Sequence, residues 1–277
     1  MAAETLVLVH GVWGKASHWE NFRRYFEARG HRCVTPTLRY HDLEPQGTPD
    51  PRLGRTSLLD YAEDLETLIR RLGEKPVVIG FSMGGILAQI LASRGLAKAI
   101  VLLSPAPPAG INALRPSIAW EFRSALLTGG IWRKAFRLPF RETSSAMLNE
   151  MPAESRRAIY DGLVYESGRA ACEIGFWFLD PKRAIAVDVS KVTCPVLILS
   201  GRKDREHPMS VIRQIAKRYR RVATFEELPD HGHWLIAEPG WDEIAERIER
   251  WLEMIIGGPR HASECSEGGV LVTRAPA

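Results

Sequence analysis

Between Thr5 and Leu103, short apolar runs alternate with amphipathic stretches, and nothing else in the chain restricts its fold as strongly. The runs Thr5–His10, Cys33–Leu38, Val77–Phe81 and Ala99–Leu103 read as buried strands. A helix falls in each gap. Ser17-x-x-Glu20 has the form of a capping box for the first, with Trp19, Phe22 and Phe26 at helical spacing and Gly30 at its end. Ser57-x-x-Asp60 opens the second, and Gly73 closes it. Met83–Ser93 is the third, while Pro, Gly and Asp mark Arg39–Arg55 as a loop. Strands that alternate with helices predict a parallel sheet with helices on both faces, and ligands in such sheets bind beyond the carboxyl ends of the strands.

The alternation stops at Pro105. Residues 105–187 show no convincing strand and hold ten of the 23 aromatic residues, so they read as an inserted set of irregular helices. The pattern returns with strand Val196–Ser200, a helix near Val211–Arg218, strand Ala223–Glu227 and a helix from Trp241 to Ile255. The expected organisation is therefore an α/β core in two parts, 1–104 and 188–257, a helical cap or lid over 105–187, and a disordered tail over 258–277. The net charge of +4, from 37 basic and 33 acidic residues, is well mixed, which speaks against nucleic acid as a partner. The N-terminus lacks a basic n-region, and no apolar run approaches the roughly 18 residues of a membrane span. Cys33, Cys172, Cys194 and Cys265 stand far apart, as reduced thiols of a cytoplasmic protein would.

The junction of the third strand and third helix reads Gly80-Phe81-Ser82-Met83-Gly84. A serine there sits on a very tight turn, where the residues two before and two after it approach other backbone and must be small. Such a turn lifts the hydroxyl to the carboxyl edge of the sheet, beside a helix N-terminus that favours an anion. The alternative is that Ser82 only caps the helix, which would not need the flanking glycines.

A serine hydroxyl needs a base, and that base an acid to orient it. His233 follows strand Ala223–Glu227 in Asp230-His231-Gly232-His233-Trp234, and Gly232 offers a sharp turn that aims the next side chain inward. His231 is expected to be a polar loop residue. A zinc pair of His231 and His233 is the competing reading, and no third ligand stands at recognisable spacing. Asp204, just past strand Val196–Ser200, is the expected acid. Against it stand a surface pairing with Arg202, Lys203 or Arg205, and the candidates Asp180 and Asp188. For an oxyanion the expected donors are the backbone N–H groups of Met83 and Val12, since Gly11 lets the loop His10-Gly11-Val12-Trp13-Gly14 come close. His10 is expected to brace that loop. Trp13 is the aromatic expected to touch substrate, and the insertion to line the pocket. No cofactor or metal is implied.

Together HGVWG (10–14), GFSMGG (80–85), GRKD (201–204) with Pro208, and HGHW (231–234) with Glu238-Pro239 resemble the α/β-hydrolase superfamily, in its chain order of Ser, Asp, His. The early first strand resembles its compact members with six parallel strands. The resemblance implies a serine esterase acting on a carboxylic ester or lactone through an acyl-enzyme. Ser82 departs from dehalogenases and epoxide hydrolases, which carry aspartate at the elbow. Trp234 stands where hydroxynitrile lyases carry lysine, and those enzymes also tend to lack a glycine at the place of Gly11. The alternatives left open are a perhydrolase, another lyase, a C–C hydrolase using an insertion arginine such as Arg115, Arg123, Arg133 or Arg137, or a low-turnover ligand receptor.

Overall fold

The computed structural model describes residues 3–45, 47–113 and 116–257. In chain order the elements are β1 (Thr5–Val9), α1 (Glu20–Glu27), β2 (Arg32–Val34), α2 (Leu58–Leu72), β3 (Val77–Phe81), α3 (Met83–Ser93) and β4 (Ala99–Leu103). The insertion follows, with α4 (Pro116–Glu121), α5 (Arg123–Leu126), β5 (Ala135–Phe136), α6 (Phe140–Ala146), α7 (Ala153–Gly162), β6 (Glu166–Ser167) and α8 (Gly168–Gly175). Then come β7 (Val196–Gly201), α9 (Met209–Arg218), β8 (Ala223–Leu228) and α10 (Trp241–Gly257).

Six strands form one sheet in the order β2-β1-β3-β4-β7-β8, and every neighbouring pair is parallel. Strands β1, β3, β4 and β7 are buried along their whole length. Their continuous apolar runs therefore answer to helices on both faces rather than to an alternating pattern. The strand order places α1 on one face and α2, α3 and α9 on the other, because each parallel crossover is right-handed. α10 packs against α1, and α2 against α3. The capping box at α2 forms as read: the Ser57 hydroxyl accepts from Leu59 N–H and the Asp60 carboxylate from Ser57 N–H. Gly73 ends that helix at φ 76°.

Three readings need correction. The second strand is only Arg32–Val34, because Pro36 has no N–H for the ladder and Leu38 N–H leaves it for His10 Nε2. Ser17 does not cap α1, since the chain enters through a 3-10 turn at Ala16–Trp19 where Lys15 N–H donates to the His18 ring. The insertion is not wholly helical: β5 and β6 pair antiparallel, two residues each.

The insertion is pinned to the core by buried polar groups. Glu166, fully buried, accepts from Tyr61 Oη at 2.8 Å and pairs with His41 Nε2 at 3.0 Å. Burial opposes charge on His41, yet Glu166 holds its pKa above the usual value. The Glu173 carboxylate accepts from Ser57 Oγ and Leu58 N–H at the start of α2. Cys33, Cys172 and Cys194 are free thiols, while Cys265 and the expected tail lie outside the described residues. Among the described residues, no helix is long and apolar enough to cross a membrane.

Candidate active site

The parallel register brings the ends of β1, β3, β7 and β8 to one edge of the sheet, and each sequence-predicted residue follows one of them. Ser82 bridges β3 and α3 with φ 53° and ψ −117°, a conformation that costs a non-glycine residue about 1–3 kcal/mol. The turn is held by Ser82 O, which accepts from Gly85 N–H at 2.8 Å and Ala106 N–H at 3.0 Å. Its glycines are sterically required. A Cβ on Gly80 would strike the Gly84 carbonyl, and one on Gly84 the Val9 carbonyl. Gly11 comes so near that its Cβ would lie 2.9 Å from Ser82 Cβ. Val12, Ser82 and Met83 all border one cavity.

His233 is fully buried after β8, with its ring 5.1 Å from that of Phe81. Its Nδ1 donates to Asp204 Oδ2 at 2.9 Å. The other oxygen, Asp204 Oδ1, accepts the backbone N–H groups of Glu206 and His207, each at 2.8 Å. Asp204 is therefore buried and fully bonded, not a surface partner of its basic neighbours. Burial opposes its charge, but His233 together with His207 and its N–H outweighs that and keeps the pKa below the usual carboxylate value. Asp180 and Asp188 lie elsewhere, accepting backbone N–H groups of their own loops.

Gly232 does not make the turn expected of it, and a side chain there would crowd its neighbours instead. It is absent from the residues of positive φ, but its Cβ would meet Glu150, Asn149 and Glu238 within 3.0 Å. Glu238 organises the histidine loop. Its carboxylate accepts Gly232 N–H at 2.8 Å and Trp234 N–H at 2.9 Å, and lies 3.3 Å from His231 Nδ1. His231 faces Glu238 and not His233's partners, so the two histidines do not converge as a zinc pair. Asp204, His207 and His233 do bring three potential metal-ligating atoms within 4.8 Å. Their hydrogen bonds divide them otherwise: both Asp204 oxygens accept protein donors, and His207 Nδ1 donates to Ser104 O at 2.9 Å.

Sequence reasoning missed Glu206. Its Oε2 lies 3.4 Å from His233 Nε2, and neither atom has a hydrogen-bond partner. Burial would lower the His233 pKa. The carboxylates of Asp204, Glu206 and Glu238 outweigh it and hold the pKa up at about 9. Nothing in Arg205-Glu206-His207 separates this glutamate from a surface one, since burial is not a local property of the sequence.

The cavity holds about 130 Å³ and is walled by Val12, Trp13, Ser82 and Met83 on the core side. From the insertion come Ile118, Phe122, Leu126, Phe136, Ile174 and Phe176 among others. Glu206 and His207 complete it, and no arginine or lysine among the described residues lines it. Arg115 lies outside the described residues. Trp13 borders the cavity, and it is also a structural tie. Its indole N–H donates to Phe136 O at 3.0 Å, and its ring stacks on Phe122. His10 braces the loop as read, with Nδ1–H donating to Gly11 O at 2.9 Å and Nε2 accepting Leu38 N–H.

A family model described as the alpha/beta hydrolase family matches residues 6–247. A 2-hydroxy-6-oxononadienedioate/2-hydroxy-6-oxononatrienedioate hydrolase from Pseudomonas putida is 26% identical over 223 residues, covering 75% of this chain and 73% of that protein. Among solved structures, a monoacylglycerol lipase from Paleococcus ferrophilus superposes with a TM-score of 0.65 at 23% identity, over 90% of this chain and 93% of that one. A methylesterase from Arabidopsis superposes with a TM-score of 0.68 at 13% identity, over 91% and 100% of the two chains.

Proposed function

The chain belongs to the alpha/beta hydrolase family, and on that premise we propose that it is a serine hydrolase cleaving a carboxylic ester or lactone through an acyl-enzyme. Ser82 Oγ attacks the carbonyl and His233 Nε2 takes its proton, while Asp204 fixes the imidazole through Nδ1 and stabilises its cation. The N–H groups of Val12 and Met83 hold the oxyanion. The alcohol leaves on the proton from Nε2. Water, activated by the same nitrogen, then releases the acid. Residues 105–187 act as a cap that closes the apolar wall over the site.

The observation that carries this reading is the pairing of a strained Ser82 with a histidine whose Nδ1 is committed to a buried, fully bonded aspartate. His233 Nε2 lies against a wall residue of the cavity that Ser82 borders. The absence of a bond from Nε2 to Ser82 is usual before substrate tightens such a site. The Pseudomonas relative's substrate is a dioate, with two carboxylates. A cavity whose described wall has a glutamate and no arginine or lysine is poorly suited to such an anion, which favours an ester over that C–C substrate.

The test is hydrolysis of nitrophenyl esters of increasing acyl length by the wild type and by Ser82→Ala. The variant is expected to lose on the order of 10⁴-fold in kcat, and equal turnover by both proteins would sink the reading.

A further inference from the structure

Glu206 is an anomaly in this cavity. Its side chain is 9% exposed, its Oε2 is buried without a hydrogen bond, and it faces a wall of alanines, aliphatics and aromatics. A carboxylate in such surroundings is costly unless something compensates it. Among the described residues, the cationic group paired with it is His233, at 3.4 Å. That compensation disappears whenever the imidazole is the neutral base that the proposed reaction requires. Other groups around the histidine offer little substitute: Asp204 and Glu238 are carboxylates, and the buried His207, although Glu206 raises its pKa, is held below the usual value by burial and by His233.

We propose that Glu206 is the recognition site for a cationic amine carried on the alcohol side of the substrate. The position follows from the chemistry. His233 Nε2 must deliver its proton to the leaving oxygen, so a carboxylate beside Nε2 also lies beside the departing alcohol. An ammonium a few bonds from the ester oxygen meets the Glu206 carboxylate there, where Glu206 borders the cavity. A negatively charged alcohol moiety is repelled at the same place. Pairing with substrate also draws the carboxylate away from the imidazole and frees it to act as a base, so recognition and activation coincide. This rests on the serine hydrolase reading for its catalytic part only, since the amine site is a property of the cavity.

The experiment uses two matched pairs at pH 8. The esters are 2-(dimethylamino)ethyl butanoate and its neutral isostere 3-methylbutyl butanoate. The non-hydrolysed probes are the corresponding butanamides, titrated by calorimetry. For the wild type, the cationic member of each pair is expected to win at least ten-fold, in kcat/KM and in Kd. In Glu206→Gln, which keeps the shape, both ratios are expected to fall toward one. Equal binding of the two amides by the wild type, or ratios unchanged in Glu206→Gln, would overturn the amine site. Discrimination between the amides with no Ser82-dependent turnover of any ester would leave the amine site standing and remove the hydrolase reading instead.

Discussion

The two walls of the cavity are built by different means. The sheet-edge wall is positioned by backbone: parallel ladders align four strand ends, and bare glycine backbones at Gly11, Gly80 and Gly84 set the approach distances. The insertion wall has only a two-residue ribbon and short helices of its own. It is positioned chiefly by side chains, above all Glu166 on His41 and Tyr61, Glu173 on the start of α2, and Ser167 Oγ on Thr56 O. Backbone ladders tolerate substitution broadly, because the N–H and C=O groups are the same whatever the residue. A wall held by a few buried carboxylates concentrates its stability in those positions.

Removing one pin should break the insertion wall while sparing the other. Glu166→Ala leaves His41 and the Tyr61 hydroxyl buried without their partner, and should cost about 3–5 kcal/mol in urea denaturation. A loss of under about 1 kcal/mol, the usual worth of a helix cap, would mean that apolar packing holds the insertion.

Glu206→Gln should act in the opposite sense, on the chemistry more than on the fold. His233 must be neutral to take a proton, so kcat/KM of the free enzyme should rise with pH through about 9. Of the carboxylates that raise this value, Asp204 and Glu238 remain in the variant, and the acid limb of the profile should move to lower pH. An unmoved limb would remove Glu206 from the electrostatics of the base. The raised value has a thermodynamic counterpart. Charge on His233 stabilises the fold fully below its unfolded pKa of about 6.5, and that contribution is lost as pH rises through about 9.

The smallest effect is expected at Leu127, 84% exposed on the insertion. Leu127→Ser should change stability by no more than about 0.5 kcal/mol, and a larger loss in thermal unfolding would show that the outer surface of the insertion shares in holding it.

The same contrast decides what was legible in the sequence. Ser82 and its glycines could be read because a strand-to-helix turn at that angle forbids side chains where backbones meet. Asp204 and His233 could be read because each follows a strand end, and the sheet collects strand ends. The cap of α2 was visible in Ser57 and Asp60 because its partners lie three residues apart. Glu166 and Glu206 were invisible. Each works over a distance in the fold that no local spacing encodes, and a lone glutamate in a mixed-charge stretch reads as solvent-facing. The ribbon of Ala135–Phe136 and Glu166–Ser167 escaped because two residues are too few to display a period of two.

Trp13 has a consequence for anyone who would re-engineer this scaffold. Its carbonyl accepts Val164 N–H at 3.0 Å, its indole donates to Phe136 O, and Val12, the residue before it, borders the serine. The loop and the insertion are therefore one structural unit and not exchangeable modules. An insertion transplanted from a relative would have to bring its own counterpart of Trp13, or reset the very loop it was meant to leave alone.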